Sequence, residues 1–157
     1  SNLKLASGIA PVKRFLDEHI NVGIGTDGPA SNNCLDMFRE MFLVSGLAKL
    51  READAACVGA EEILYMAVTG GAHAMGLWDC DCLAKGKKAD LIMIDLNQPN
   101  MQPENNLVTN LVYSGSKQNV KMTMVNGVIR YEDGAFFIGQ DPKEIYRQAN
   151  AIIGRMK

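Results

Sequence analysis

The stretch that decides the fold is residues 22–33, Val-Gly-Ile-Gly-Thr-Asp-Gly-Pro-Ala-Ser-Asn-Asn. Its short apolar first half predicts a buried strand over residues 22–26, and the Gly, Pro, Ser and Asn residues after Asp27 predict a loop. An acidic side chain at the exit of a buried strand is costly unless it has a partner or a chemical role. In barrels and doubly wound sheets, that exit is where active sites are built. Asp27 is therefore either a candidate site residue or a cap for the following turn, where Asp is common.

Apolar residues recur at helical spacing on both sides of this stretch. The periodicity predicts three helices, over residues 9–20, 35–50 and 61–75. Asn32 or Asn33 is available to cap the second helix. Gly70 and Gly71 inside the third helix are each less favourable than Ala by roughly 1 kcal/mol, so we expect them to pack closely against a neighbouring segment.

The sequence pattern changes after residue 77, where β-strand signals begin. Residues 91–94 form a compact apolar run, and two further runs flank Asn126-Gly127, a strong hairpin signal. Residues 135–138, after Asp133-Gly134, predict one more strand. The sequence Asp-Pro-Lys-Glu at residues 141–144 predicts the start of a closing helix with an apolar face. The chain thus divides into residues 1–77 and residues 78–157.

Bulk properties restrict the partners and the cellular location. A formal charge of -2 argues against nucleic acid or an anionic membrane as the main partner. No apolar run approaches the length of a membrane span, and no signal peptide opens the sequence. The cysteines lack Cys-x-x-Cys spacing, which favours free thiols in a reducing compartment, and we expect a cytoplasmic protein. The four cysteines are Cys34, Cys57, Cys80 and Cys82.

Five segments, in order along the chain, resemble the amidohydrolase superfamily. The closest resemblance is to the methylthioadenosine/S-adenosylhomocysteine deaminases and their chlorohydrolase relatives. It implies an α/β fold: the C-terminal fragment of a (β/α)8 metal-dependent hydrolase barrel, with its last strand–helix units in residues 1–77. Residues 78–157 would then be part of a small composite β-sandwich with a closing helix. The five segments are residues 1–12, 25–33, 35–41, 69–76 and 86–92.

The resemblance also implies a reaction, the hydrolytic deamination of an adenosine-like substrate by a metal-activated water. The family binds its divalent metal, zinc or in some cases iron, through a His-x-His pair, a later His and an Asp that ends the last barrel strand. Asp27 is the counterpart of that Asp, and the implied roles are metal ligand and proton acceptor. Ser1, Asn2 and Ser31 are the residues we expect near the substrate.

The remaining ligands of the family have no counterpart in this sequence. It contains two histidines, His19 and His73, no His-x-His, and both are expected to be packing or surface residues. Because one carboxylate cannot hold a catalytic zinc, we expect the isolated chain to be inactive and not to retain metal. The implied partners are a nucleoside-type small molecule, the N-terminal part of the same protein and further copies of the chain in a homo-oligomer.

Other hypotheses remain open. A chlorohydrolase or a guanine-type deaminase would differ only in substrate, whereas a non-catalytic, self-associating module would use uncovered apolar faces. Cys80-Asp-Cys82 without a second pair is a weak metal site. Asp79 and Asp81 are expected in a solvated turn, as are the lysines that follow, namely Lys85, Lys87 and Lys88.

Overall fold

Residues 1–156, described by a computed structural model, contain six α-helices and four β-strands. The helices are α1 (Val12–Asp17), α2 (Met37–Glu52), α3 (Ala60–Tyr65), α4 (Gly71–Ala74), α5 (Leu107–Tyr113) and α6 (Pro142–Arg155). The strands are β1 (Leu91–Ile94), β2 (Val120–Val125), β3 (Val128–Glu132) and β4 (Ala135–Phe136). A π-helical turn, Met66–Gly70, connects α3 to α4, and the 3-10 turns Pro99–Met101 and Lys117–Asn119 flank α5. None of these helices is long and apolar enough to cross a membrane.

Residues 22–26, called here the extended segment, form no strand within residues 1–156, although the sequence predicts one there. A strand requires a ladder of backbone hydrogen bonds, and no described segment provides one. The amide of Ile24 instead donates a 3.1 Å hydrogen bond to the Met66 carbonyl in the π-helical turn. Exposure nevertheless alternates as in a strand, with Val22, Ile24 and Thr26 half-buried and the intervening Gly23 and Gly25 exposed.

Helix α2 begins at a cap other than the predicted asparagines. The Asp36 side chain accepts hydrogen bonds from the Phe38 amide at 3.1 Å and the Arg39 amide at 3.5 Å. The predicted caps, Asn32 and Asn33, lie too far before the first helical turn because the loop extends through residue 35. Helix α2 packs its buried face against α3 and α5 in the core. The core residues include Phe38, Met41, Ala48, Ile63, Met66 and Val112.

The third predicted helix is nearly continuous from Ala60 to Ala74 but contains the π-helical turn. The prediction about its glycines is confirmed, because a Cβ atom on Gly70 would lie 2.3 Å from the Val22 carbonyl oxygen. A Cβ atom added to Gly23 would likewise lie only 3.0 Å from the Gly71 Cα atom. The absence of side chains at these positions lets the extended segment lie directly on the helix.

The four strands form one antiparallel sheet in the order β1-β2-β3-β4. The predicted hairpin is confirmed: Asn126 and Gly127 both have positive φ, 50° and 77°, as a two-residue type I′ turn requires. Asp133 and Gly134 repeat this conformation before β4, which is shorter than predicted.

Helix α5 was not predicted. Asn106 caps it by accepting a hydrogen bond from the Thr109 amide at 3.0 Å. Its Tyr113 hydroxyl lies 2.9 Å from the Ser45 hydroxyl and accepts a 2.9 Å hydrogen bond from the Lys49 ammonium group, both on α2. Helix α5 follows residue 77 yet packs on helices that precede it; the division of the chain at that residue stays a prediction.

Helix α6 begins as predicted, with Pro142 at the first helical position and the Asp141 side chain accepting from the Lys143 amide at 3.0 Å. It buries none of its residues. The predicted apolar face is not covered by any other part of the described chain: Ile152 and Ile153 are about half exposed, at 49% and 55%.

Candidate active site

Asp27 stands where the extended segment ends, as the sequence predicts. Its backbone is in the left-handed region, with φ of 61°, which few residues other than Gly adopt. The Gly28 amide donates a 2.7 Å hydrogen bond to the Asp27 Oδ1 atom. The carboxylate is exposed and has no salt bridge to a cationic side chain within residues 1–156. It is therefore free to bind an external group.

The surroundings of Asp27 favour its ionised form. The Ser1 hydroxyl has the largest effect, followed by the Ser31 hydroxyl and the Gly28 amide, and together they lower the pKa of Asp27 to about 2. The Ser1 Oγ atom is buried and has no hydrogen-bond partner of standard geometry among the described residues. A carboxylate with this pKa is charged at any physiological pH and suits a metal ligand.

The loop after Asp27 is folded around the buried amide of Asn32, whose side chain is the centre of three hydrogen bonds. Its Nδ2 atom donates to the Thr26 carbonyl and to the Glu40 Oε1 atom, each at 2.7 Å. Its Oδ1 atom accepts from the Cys34 amide at 3.1 Å. Sequence reasoning assigned Asn32 to a cap and missed Glu40, because the burial of both depends on tertiary packing.

A cavity of about 480 Å³ opens beside Asp27. Ser1, Asn2 and Asp27, three of the four predicted site residues, line it together with Glu40. Ser31 does not line it, and its hydroxyl donates to the Gly28 carbonyl at 3.2 Å. The rest of the lining is predominantly apolar and includes Ile9, Val12, Val22, Ile24, Leu43, Val44 and Leu47. An apolar cavity with a few polar groups is the usual form of a small-molecule site.

Within residues 1–156, no three His, Cys, Asp or Glu side chains are grouped closely enough to hold a metal ion. His19 is exposed in the turn after α1, and the His73 ring lies within hydrogen-bond distance of the Asp81 carboxylate. Among the described residues, Asp27 therefore lacks the neighbouring ligands that a closed metal site requires.

Asp81 is not in a solvated turn, contrary to the prediction. Its side chain is 13% exposed, with its carboxylate 2.6 Å from the Lys87 ammonium group and 2.9 Å from the His73 Nε2 atom. These two partners hold the pKa of Asp81 well below its usual range, with Lys87 having the larger effect. The Thr69 hydroxyl donates to the Asp81 carbonyl at 3.0 Å. The network fastens the loop after α4 to the preceding helical segment, whereas the Asp79–Lys88 pair is exposed.

Comparison with known proteins decides the family. The sequence profile described as "Amidohydrolase family" matches residues 1–130. The chain belongs to the amidohydrolase family. A 5-methylthioadenosine/S-adenosylhomocysteine deaminase of Dictyoglomus thermophilum is 49% identical over 132 residues, which are 84% of this chain and 31% of that protein. A protein of the same name from Natronomonas pharaonis is 42% identical over 158 residues, which are 99% of this chain and 36% of its own.

Solved structures of this family share the fold. An adenosine deaminase from Xanthomonas campestris with bound zinc superposes with a TM-score of 0.93 at 35% identity, over 98% of this chain and 35% of its own. Atrazine chlorohydrolase TrzN from Arthrobacter aurescens, complexed with zinc, gives a TM-score of 0.81 at 28% identity, over 97% and 34%. This amidohydrolase chain therefore spans about a third of the length of the relatives it matches.

Proposed function

We propose that this chain is the C-terminal part of a metal-dependent deaminase that acts on an adenosine-like substrate. The observation that carries the proposal is Asp27, an ionised carboxylate at the end of the extended segment that lines an open cavity. The similarity to 5-methylthioadenosine/S-adenosylhomocysteine deaminases at 42–49% identity favours that substrate class.

The proposed architecture follows from the same segment. Residues 22–26 would be the last strand of a (β/α)8 barrel, whose neighbouring strands other segments of the protein supply. Their alternating exposure supports this assignment, because successive residues of a barrel strand face opposite sides of the sheet. The antiparallel sheet of β1 to β4 would join further strands in a β-sandwich.

Asp27 would have two tasks in the complete enzyme. Its carboxylate would supply one ligand to a divalent metal, which we assign to zinc with iron as the alternative. When bound, the metal would lower the pKa of a water molecule and make it nucleophilic. The same carboxylate would accept a proton from that water, which requires an approach of about 3 Å. Ser1 and Asn2 would face the substrate from the same cavity.

The isolated chain would be inactive, because Asp27 is the one family ligand that it supplies. A chimera tests the proposal directly: residues 1–157 replace the matching C-terminal segment of the Dictyoglomus thermophilum deaminase. We expect the chimera with zinc to release ammonia from methylthioadenosine and S-adenosylhomocysteine. A folded, zinc-loaded chimera that releases no ammonia from either compound would contradict the substrate assignment.

The role of Asp27 has its own test in that chimera. Asp27→Asn removes the charge and the proton acceptor, so kcat should fall by about 10²- to 10⁴-fold or more. Asp17→Asn is the matched control, since Asp17 is an exposed carboxylate on α1. Equal rates in the two variants would remove Asp27 from the site.

Two alternatives have specific support. The similarity to TrzN favours chlorohydrolase activity, and a similarity to guanine deaminase of E. coli, at 26% identity and a TM-score of 0.74, favours a purine base. Chloride release from atrazine and ammonia release from guanine distinguish them. The uncovered face of α6 favours a non-catalytic, self-associating module, which light scattering on the chain would detect.

A further inference from the structure

The backbone at Asp27 requires support from its surroundings. A non-Gly residue in the left-handed region is strained and persists where neighbouring contacts determine its conformation. Asp27 has φ of 61°, and its own side chain contributes one local bond, the one from the Gly28 amide. The groups that hold the flanking backbone must therefore come from the rest of the loop.

Asn32 provides that support on both sides of Asp27. Its side chain holds the Thr26 carbonyl, directly before Asp27, at 2.7 Å. Its backbone amide donates to the Gly28 carbonyl, directly after Asp27, at 2.8 Å. The Asn32 residue is 6% exposed, so water cannot readily replace these bonds.

Glu40 in turn fixes the Asn32 side chain. Glu40 is 9% exposed on α2, and its Oε1 atom accepts the second hydrogen bond of the Asn32 Nδ2 atom at 2.7 Å. No cationic side chain in the described chain forms a salt bridge with Glu40. A buried carboxylate without a counter-charge is costly, which indicates a role beyond packing.

We propose that Glu40 and Asn32 are positioning residues: Glu40 anchors the Asn32 amide to the rigid helix α2, and Asn32 fixes the backbone on both sides of Asp27. The Asp27 carboxylate is thereby held at the cavity. The functional importance of this arrangement rests on the proposed role of Asp27, whereas the arrangement itself is a property of this chain alone.

Amide hydrogen exchange in the 157-residue chain tests the proposal. Glu40→Ala removes the anchor, so exchange of the Asn32 backbone amide should accelerate by at least about tenfold while the amides of β2 keep their rates. Glu40→Gln retains a side-chain oxygen that accepts from Asn32 and should restore slow exchange. Asn33→Ala is the matched control, since Asn33 is an exposed asparagine of the same loop that bonds to Lys4.

The outcomes separate the hypotheses. The proposal is overturned if Glu40→Ala leaves exchange of the Asn32 amide unchanged, or accelerates exchange in β2 by the same factor. It is also overturned if Asn33→Ala accelerates exchange of the Asn32 amide as much as Glu40→Ala does. If Glu40→Ala fails to fold, Glu40→Gln decides: fast exchange at Asn32 in this folded variant also overturns it. Because exchange is measured without substrate or metal, an inactive chimera would remove the deaminase assignment and leave this result standing.

Discussion

The close approach of Gly70 to Val22 makes a quantitative prediction about stability. Gly70 lies in the π-helical turn with ordinary right-handed helical angles, so its backbone conformation does not require glycine. Helix propensity alone predicts that Gly70→Ala stabilises the protein by about 1 kcal/mol. The structure predicts the opposite, since the new Cβ atom would lie 2.3 Å from the Val22 carbonyl oxygen.

The magnitude follows from the two opposing terms. The Cβ and the oxygen must separate by roughly 0.7 Å to reach the 3.0 Å below which such contacts are essentially never seen. Forcing extra atoms into a packed site costs about 1–3 kcal/mol, and we take the upper end because the carbonyl belongs to the backbone. Subtracting the gain in helix propensity leaves a net destabilisation of about 2 kcal/mol. For a chain of this size that lowers Tm by about 4–8 °C.

Gly46→Ala is the matched control. Gly46 lies inside α2, where an added Cβ would meet nothing within 4 Å, so the same substitution should raise Tm by about 2–4 °C. Thermal unfolding followed by circular dichroism measures both variants. A Gly70→Ala protein as stable as the wild type, beside a stabilised Gly46→Ala protein, would refute the packing of residues 22–23 on the helix.

Three further predictions concern the core and the loop after α4. Ile63→Ala, at a residue that is 0% exposed, should destabilise the protein by about 2–5 kcal/mol in urea unfolding. Tyr113→Phe should cost about 1–3 kcal/mol in the same assay, because Ser45 and Lys49 lose a hydrogen-bond partner. Asp81 has a lowered pKa, so its contribution is complete above its ordinary pKa of 3.8 and is lost as the pH falls further. Asp81→Asn should therefore flatten the decrease of Tm below that pH; an unchanged decrease would contradict the network.

The sequence predicted the elements whose signals are local. The Asn126-Gly127 turn and the alternation around it predicted the hairpin, and apolar spacing predicted α2. Helix α5 was not predicted because its sequence, Leu-Val-Thr-Asn-Leu-Val-Tyr, is rich in residues that favour strands. Packing on α2 and α3 outweighs that preference in the folded protein.

The candidate site was predicted in part for a similar reason. Asp27 became a candidate because its residue type, the apolar run before it and the loop after it are adjacent in sequence; its role as a metal ligand was implied by the family resemblance and stays a prediction. Glu40 has no such signal, since within α2 it resembles any charged helical residue, and its hydrogen bond to Asn32 forms only in the folded loop. Residues 22–26 matched a strand by composition, but a ladder requires a partner that no local pattern specifies.

The bare stripe on α6 has a practical consequence for work with this protein. A helix with no buried residue can be truncated or tagged at little cost to the remaining structure. While it is uncovered, however, this apolar stripe favours self-association of the protein at high concentration. We expect purification yields to improve when Ile152 and Ile153 are replaced by polar residues, with the Asp27 loop unaffected.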